Sequence, residues 1–160
     1  ESGKTFAENA AIKARAACAA AGRGAIADDS GLEVDALHGA PGVHSARFAG
    51  GHGDDVANNA KLLALLANVP AERRGARFVS AIALAMPGGA LLESSGACAG
   101  SIGFEARGEG GFGYDPLFYV GGKSFAEMSA DEKDAVSHRA AALHSFAENL
   151  PEFLVENANL

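Results

Sequence analysis

The chain has 160 residues, 48% of them hydrophobic, and a formal charge of −7. That length suits one domain with a substantial core, and no apolar run is long enough to span a bilayer. The acidic balance argues against a nucleic-acid polymer as partner, because phosphate backbones are gripped by clustered Lys and Arg; a free nucleotide stays open.

The chain starts at Glu1, and a helical pattern begins almost at once. Thr5-Phe6-Ala7-Glu8 reads as a capping box. The alanine-dense stretch 5–21 follows as a helix, stopped by Gly22 and Gly24. Because an α/β domain normally places a strand before such a helix, the sequence reads as N-terminally truncated. Cys18 and Cys98 lie in alanine-rich surroundings without metal-ligand spacing, which predicts free thiols in a reduced, cytoplasmic setting.

Residues 25–27 form a short buried-strand candidate that ends at Asp28 and Asp29. A Gly-, Pro- and His-rich loop is expected over 38–53, then a helix over 54–68 with Val56, Leu62, Leu63 and Leu66 on one face. Residues 77–86 read as a strand, Pro87-Gly88-Gly89 as a turn, and 90–99 as its hairpin partner. Further strands are expected at 101–105 and 117–120, on either side of a glycine-rich run. A helix is expected over 131–148, with Pro151 separating it from a tail. Alternating helices and strands with one hairpin predict a single α/β domain over 1–160, with a mixed central sheet flanked by helices.

Three constellations carry chemistry. In Ala27-Asp28-Asp29-Ser30-Gly31-Leu32 two adjacent carboxylates need a metal ion, a proton or a basic side chain to compensate them. The same run also fits an Asx-type turn. In Gly108-Glu109-Gly110-Gly111-Phe112-Gly113-Tyr114-Asp115-Pro116, glycines permit positive φ and close backbone approach. Phe112 could stack on a planar base while Tyr114 and Asp115 fix the loop or touch the ligand; a plain glycine-rich turn with Tyr114 packed inward is the alternative. No Walker ending follows. Third, Lys133 precedes Ser137-His138-Arg139. Either Lys133 and Ser137 share one helical face, or Ser137 caps a helix whose first turn carries His138 and Arg139. Both arrangements gather donors for a phosphate or a purine oxo edge, and a solvated charged face is the bland reading.

Glu1-Ser2-Gly3-Lys4-Thr5-Phe6-Ala7-Glu8-Asn9-Ala10, the Asp28-Asp29 run, Pro41-Gly42-Val43-His44-Ser45-Ala46-Arg47-Phe48-Ala49-Gly50, Gly110-Gly111-Phe112-Gly113-Tyr114-Asp115-Pro116 and Ser137-His138-Arg139 occur in this order. Together they closely resemble the noncanonical purine nucleoside triphosphate pyrophosphatases, the inosine/xanthosine triphosphate pyrophosphatases of the bacterial RdgB type. The resemblance implies a homodimeric, Mg²⁺-dependent α/β hydrolase. Such an enzyme cleaves ITP, dITP or XTP to the monophosphate and pyrophosphate. It further implies Asp29 as general base and metal-site residue and Glu1 as the other metal-site carboxylate. Ser30, Phe112, Gly113, Tyr114, Asp115, Lys133, His138 and Arg139 are the implied substrate contacts.

The sequence departs from that family in three places. The family's opening strand and Ser/Thr-x-x-Asn-x-x-Lys loop are absent, Ala106-Arg107-Gly108 replaces Pro-Arg-Gly, and Ala140 follows Ser137-His138-Arg139 where glycine is common. The expectation is therefore weak activity for the chain as written. Competing readings are a nucleotide-binding fragment without hydrolysis and a pyrophosphatase for modified pyrimidine nucleotides.

Overall fold

Thr5 opens the first helix as predicted. Its Oγ1 accepts from Glu8 N at 3.1 Å, while Glu8 Oε2 reaches back to Lys4 N at 2.6 Å. The computed structural model describes residues 2–158. Helix α1 covers Phe6–Ala21 and stops at Gly22, whose φ of 67° is the left-handed conformation that glycine adopts without strain. Then come β1 (Ala25–Val34), α2 (Asp55–Leu65), β2 (Gly75–Ala85), β3 (Leu91–Ile102), β4 (Phe118–Val120), β5 (Lys123–Ser124), α3 (Ala130–Asp134) and α4 (His138–Glu156). The result is a mixed α/β fold with a central sheet flanked by helices. The sheet has five strands in the order β1-β2-β3-β4-β5. Strand β4 pairs antiparallel with both β3, at Ser101 opposite Tyr119, and β5, at Tyr119 opposite Ser124.

Residue contacts divide the chain into two compact units. One comprises the residues up to Ser30, Val79–Ala97, and Ser137 onward; the other comprises Gly31–Phe78 and Cys98–Val136.

In the first unit, Ile82 and Leu84 pack with Ala142 and Phe146, and Leu150 and Phe153 extend the cluster. Those four α4 positions follow the i, i+4, i+8, i+11 spacing of one helical face. This stripe explains why Pro151 lies inside α4 rather than ending it. An internal proline costs about 3 kcal/mol, but burial on both sides of it outweighs that loss. Gly96 on β3 lets α4 come close, because a side chain there would strike the backbone of His138 and Ala142.

In the second unit, Phe78, Phe118 and Phe125 form an aromatic centre with ring centroids 4.5–5.6 Å apart. Leu32, Val34, Leu62 and Leu66 are fully buried around it. The buried Arg74 donates to the carbonyls of Leu66, Val69, Ile102 and Gly103 at 2.7–3.2 Å, and its guanidinium lies 4.0 Å from the Phe104 ring centroid.

Several sequence expectations change. Val56 is 82% exposed instead of facing the core. It precedes Leu62 by six residues, about a third of a turn off that line. Asn58 takes the inward place, accepting from Ala49 N and donating to Ala46 O, and so ties down the Gly- and Pro-rich loop. That loop contains a 3₁₀ turn over Gly42–Arg47. Residues 101 and 102 finish β3 rather than starting a new strand. The expected 131–148 helix is two helices, because Ser129 and Ser137 each cap a new start.

Candidate functional site

Strand β1 continues through the carboxylates instead of ending at them. Alternation along the strand then separates the pair, with Asp28 exposed and Asp29 half-buried. This geometry excludes the Asx-turn alternative. Lys13, half-buried on α1, donates to Asp29 Oδ1 at 2.8 Å and to the Asp28 carbonyl at 3.1 Å. Among the three compensators left open by the sequence, a basic side chain is therefore present for one Asp29 oxygen. The other oxygen, Oδ2, is buried and has no hydrogen-bond partner among the described residues. A sheltered carboxylate oxygen is costly unless a proton, water or cation meets it.

Lys13 was not among the sequence candidates. The signal for it is polar spacing on an alanine helix. Asn9, one turn earlier, is 1% exposed and accepts from Gly3 N at 2.9 Å. Two polar residues at i, i+4 on an alanine-rich face mark a face that meets polar groups.

Ser137 resolves the second ambiguity, since its hydroxyl accepts from Ala140 N at 3.1 Å and caps α4. His138 is buried and Arg139 exposed in that first turn. The shared helical face for Lys133 and Ser137 is overturned, because α3 ends at Asp134. Arg139 Nη2 stands 3.8 Å from Asp28 Oδ2, a loose pair with both side chains about half exposed. Such exposed pairs contribute up to about 1 kcal/mol. Asp28 and Arg139 share the wall of a cavity of about 310 Å³ with Ile26, Ser80, Ile82 and Leu143. Ser30 follows Asp29 on β1 and is half-buried.

The glycine-rich loop lies in the other unit, and Asp115 organises it. This buried carboxylate accepts from Phe112 N at 3.0 Å and from Lys133 Nζ at 2.6 Å. Gly111 makes the turn possible, with φ of 69° and a position where any side chain would collide with Asp115. Lys133 Nζ also lies 5.0 Å from the Phe112 ring centroid and 5.6 Å from that of Phe125, within cation–π range. Tyr114 is packed inward, its hydroxyl donating to Ser45 O at 2.7 Å. Burial, and secondarily the charge of Asp55, push that phenol well above its ordinary range. Phe112 instead remains 59% exposed. The loop thus joins both sequence readings, with Tyr114 packed inward and Phe112 presented outward.

Glu1 lies outside the described residues. Among the described residues, no group of three or more His, Cys, Asp or Glu side chains gathers closely enough to hold a metal. The buried Asp29 Oδ2 still fits one position on a hard cation, because Mg²⁺ takes one or two protein carboxylates and completes its shell from phosphate and water. Both cysteines are free. Among the described residues, no helix is long and apolar enough to cross a membrane.

Comparison with known proteins agrees with this architecture. The sequence model of the Ham1 family matches residues 1–149. A dITP/XTP pyrophosphatase of Desulforamulus reducens is 57% identical over 152 residues, spanning 94% of this chain and 76% of the relative. The crystal structure of a nucleoside-triphosphatase/dITP/XTP pyrophosphatase from Mycobacterium abscessus superposes with a TM-score of 0.80 at 53% identity, covering 90% of this chain and 74% of the other. A HAM1 protein from Coxiella burnetii gives 0.89 at 44% identity, covering 95% and 79%. With the sequence match running from the first residue into α4, and the sheet and helices matching solved relatives, the chain belongs to the Ham1 family.

Proposed function

We propose that this protein hydrolyses noncanonical purine nucleoside triphosphates such as dITP, ITP and XTP to the monophosphate and pyrophosphate, so clearing them from the nucleotide pool. The observation that carries the reading is Asp29, with one oxygen tied to Lys13 and the other sheltered without a partner among the described residues. A carboxylate held by one oxygen presents the other in a fixed direction, as a general base requires.

In the proposed reaction, water attacks the α-phosphorus and loses a proton to Asp29. The bond from the α-phosphorus to the bridging oxygen breaks, and pyrophosphate leaves with that oxygen. Lys13 keeps Asp29 in place. Mg²⁺, held by Asp29 and Glu1 when bound, supplies positive charge that offsets the triphosphate. Phe112 stacks on the base, with Gly113, Tyr114 and Asp115 shaping its loop. Lys133, His138 and Arg139 supply donors for the O6 edge and phosphates, and Ser30 is a further substrate contact. A donor facing O6 accepts hypoxanthine and xanthine and conflicts with the amino group of adenine.

We read the whole chain as one pyrophosphatase domain, working as a cytoplasmic homodimer; sedimentation equilibrium tests the assembly. A nucleotide panel tests the function. Pyrophosphate release with Mg²⁺ should favour dITP, ITP and XTP over ATP. A preference for modified pyrimidine triphosphates, or binding of ITP without cleavage, would overturn the reading.

A further inference from the structure

Helix α2 grips the glycine-rich loop at a single residue. Asp55 Oδ2 accepts from Gly113 N at 2.8 Å, and Asn59 Nδ2 donates to Gly113 O at 2.9 Å. Asp55 and Asn59 are one helical turn apart, so their side chains project from the same face and bracket one peptide residue. Gly113 has φ of 59°, the left-handed conformation, which turns its N–H and C=O toward this pair. Asp115 takes the amide of Phe112 in addition.

The consequence is chemical. Loops that cradle phosphates do so with unengaged backbone N–H groups. Here the amides of Phe112 and Gly113 are already committed to carboxylates, and the Gly113 carbonyl to Asn59. At Phe112 and Gly113 the loop therefore offers a ligand the 59%-exposed ring of Phe112 rather than free amides. We infer that Asp55 and Asn59 are positioning residues that set the pose of Phe112 through Gly113 and thereby determine affinity for the base, not the rate of phosphate chemistry. This rests on the nucleotide reading given above.

The test uses Asp55→Ala, Asn59→Asp and Asp55→Asn in the full chain, with steady-state kinetics on dITP and hydrogen exchange of residues 108–116. Asp55→Ala removes the acceptor for the Gly113 amide. Asn59→Asp places a carboxylate against the Gly113 carbonyl at almost unchanged volume. Each should raise KM about tenfold, by loss of a charge-assisted hydrogen bond in Asp55→Ala and by exchange of a neutral hydrogen bond for carboxylate–carbonyl repulsion in Asn59→Asp, with kcat within about twofold. Exchange should accelerate in 108–116 and not in α2 or β3. Asp55→Asn keeps an oxygen acceptor and should restore KM toward the wild-type value.

Unchanged KM in both folded variants would overturn the inference. So would a fall in kcat accompanied by faster exchange throughout α2 and β3, the pattern of general loosening. If the wild type releases no pyrophosphate from any purine triphosphate, the functional reading fails instead. Exchange alone then decides whether α2 holds the loop.

Discussion

Lys13 Nζ sits 2.8 Å from Asp29 Oδ1, with the two side chains 34% and 11% exposed. The pair links α1 to β1 and leaves Oδ2 as the carboxylate oxygen without a hydrogen-bond partner among the described residues. Replacing Lys13 by Met removes the tether while keeping the length of the side chain. Pyrophosphate release from dITP should then fall about 100-fold, the scale of one positioned acid–base group, mostly in kcat. Single-turnover kinetics would separate this outcome from weaker binding.

Phe112 carries its ring outward, while Gly113 and Tyr114 beside it are tied to the protein by hydrogen bonds. Phe112→Ala should raise KM for dITP between about 5-fold and 150-fold, corresponding to roughly 1–3 kcal/mol of base stacking. Phe112→Tyr should stay near the wild type. Titration calorimetry with a nonhydrolysable inosine nucleotide checks both.

Lys133→Met isolates the Asp115 carboxylate, which is 4% exposed and otherwise holds the Phe112 amide. A buried charge that loses its partner costs about 3 kcal/mol. The variant should melt several degrees lower, and Lys133→Met with Asp115→Asn should recover much of the loss. A double-mutant thermal-denaturation cycle measures the coupling.

Tyr114 and Tyr119 both have their phenols pushed above the ordinary value of about 10, chiefly by burial. A folded pKa above the unfolded one gives stability that is complete below about pH 10 and lost as pH rises through the folded value. Tyrosinate absorbance should therefore lag behind that of free tyrosine and rise together with loss of near-ultraviolet dichroism. Ionisation of both tyrosines while the protein is still native would contradict the buried Tyr114 hydrogen bond to Ser45.

The sequence and structure agree where signals are local. The Thr5 cap, the Gly22 stop and the hairpin turn at Pro87-Gly88-Gly89 follow from side-chain chemistry within a few residues. The length of β1 was hidden, because Asp28, Asp29, Ser30 and Gly31 have poor strand propensity and are held by tertiary pairing. Pro151 reads as a stop, yet packing of Leu150 and Phe153 carries α4 past it. The Asp28-Asp29 run was visible as chemistry. Lys13 and the Asp55–Asn59 bracket were not, since their meaning depends on partners 16, 58 and 54 residues away.

The proposed reaction makes Asp29, not Asp28, the reactive carboxylate. The most direct measurement compares dITP hydrolysis by the protein with that of Asp29→Asn and Asp28→Asn, each checked for folding by circular dichroism. A lost general base should reduce kcat at least about 100-fold in Asp29→Asn. The exposed Asp28, loosely paired with Arg139 at 3.8 Å, should lose under about fivefold on replacement. Near-wild-type turnover by Asp29→Asn, or an equal loss in both variants, would contradict the account.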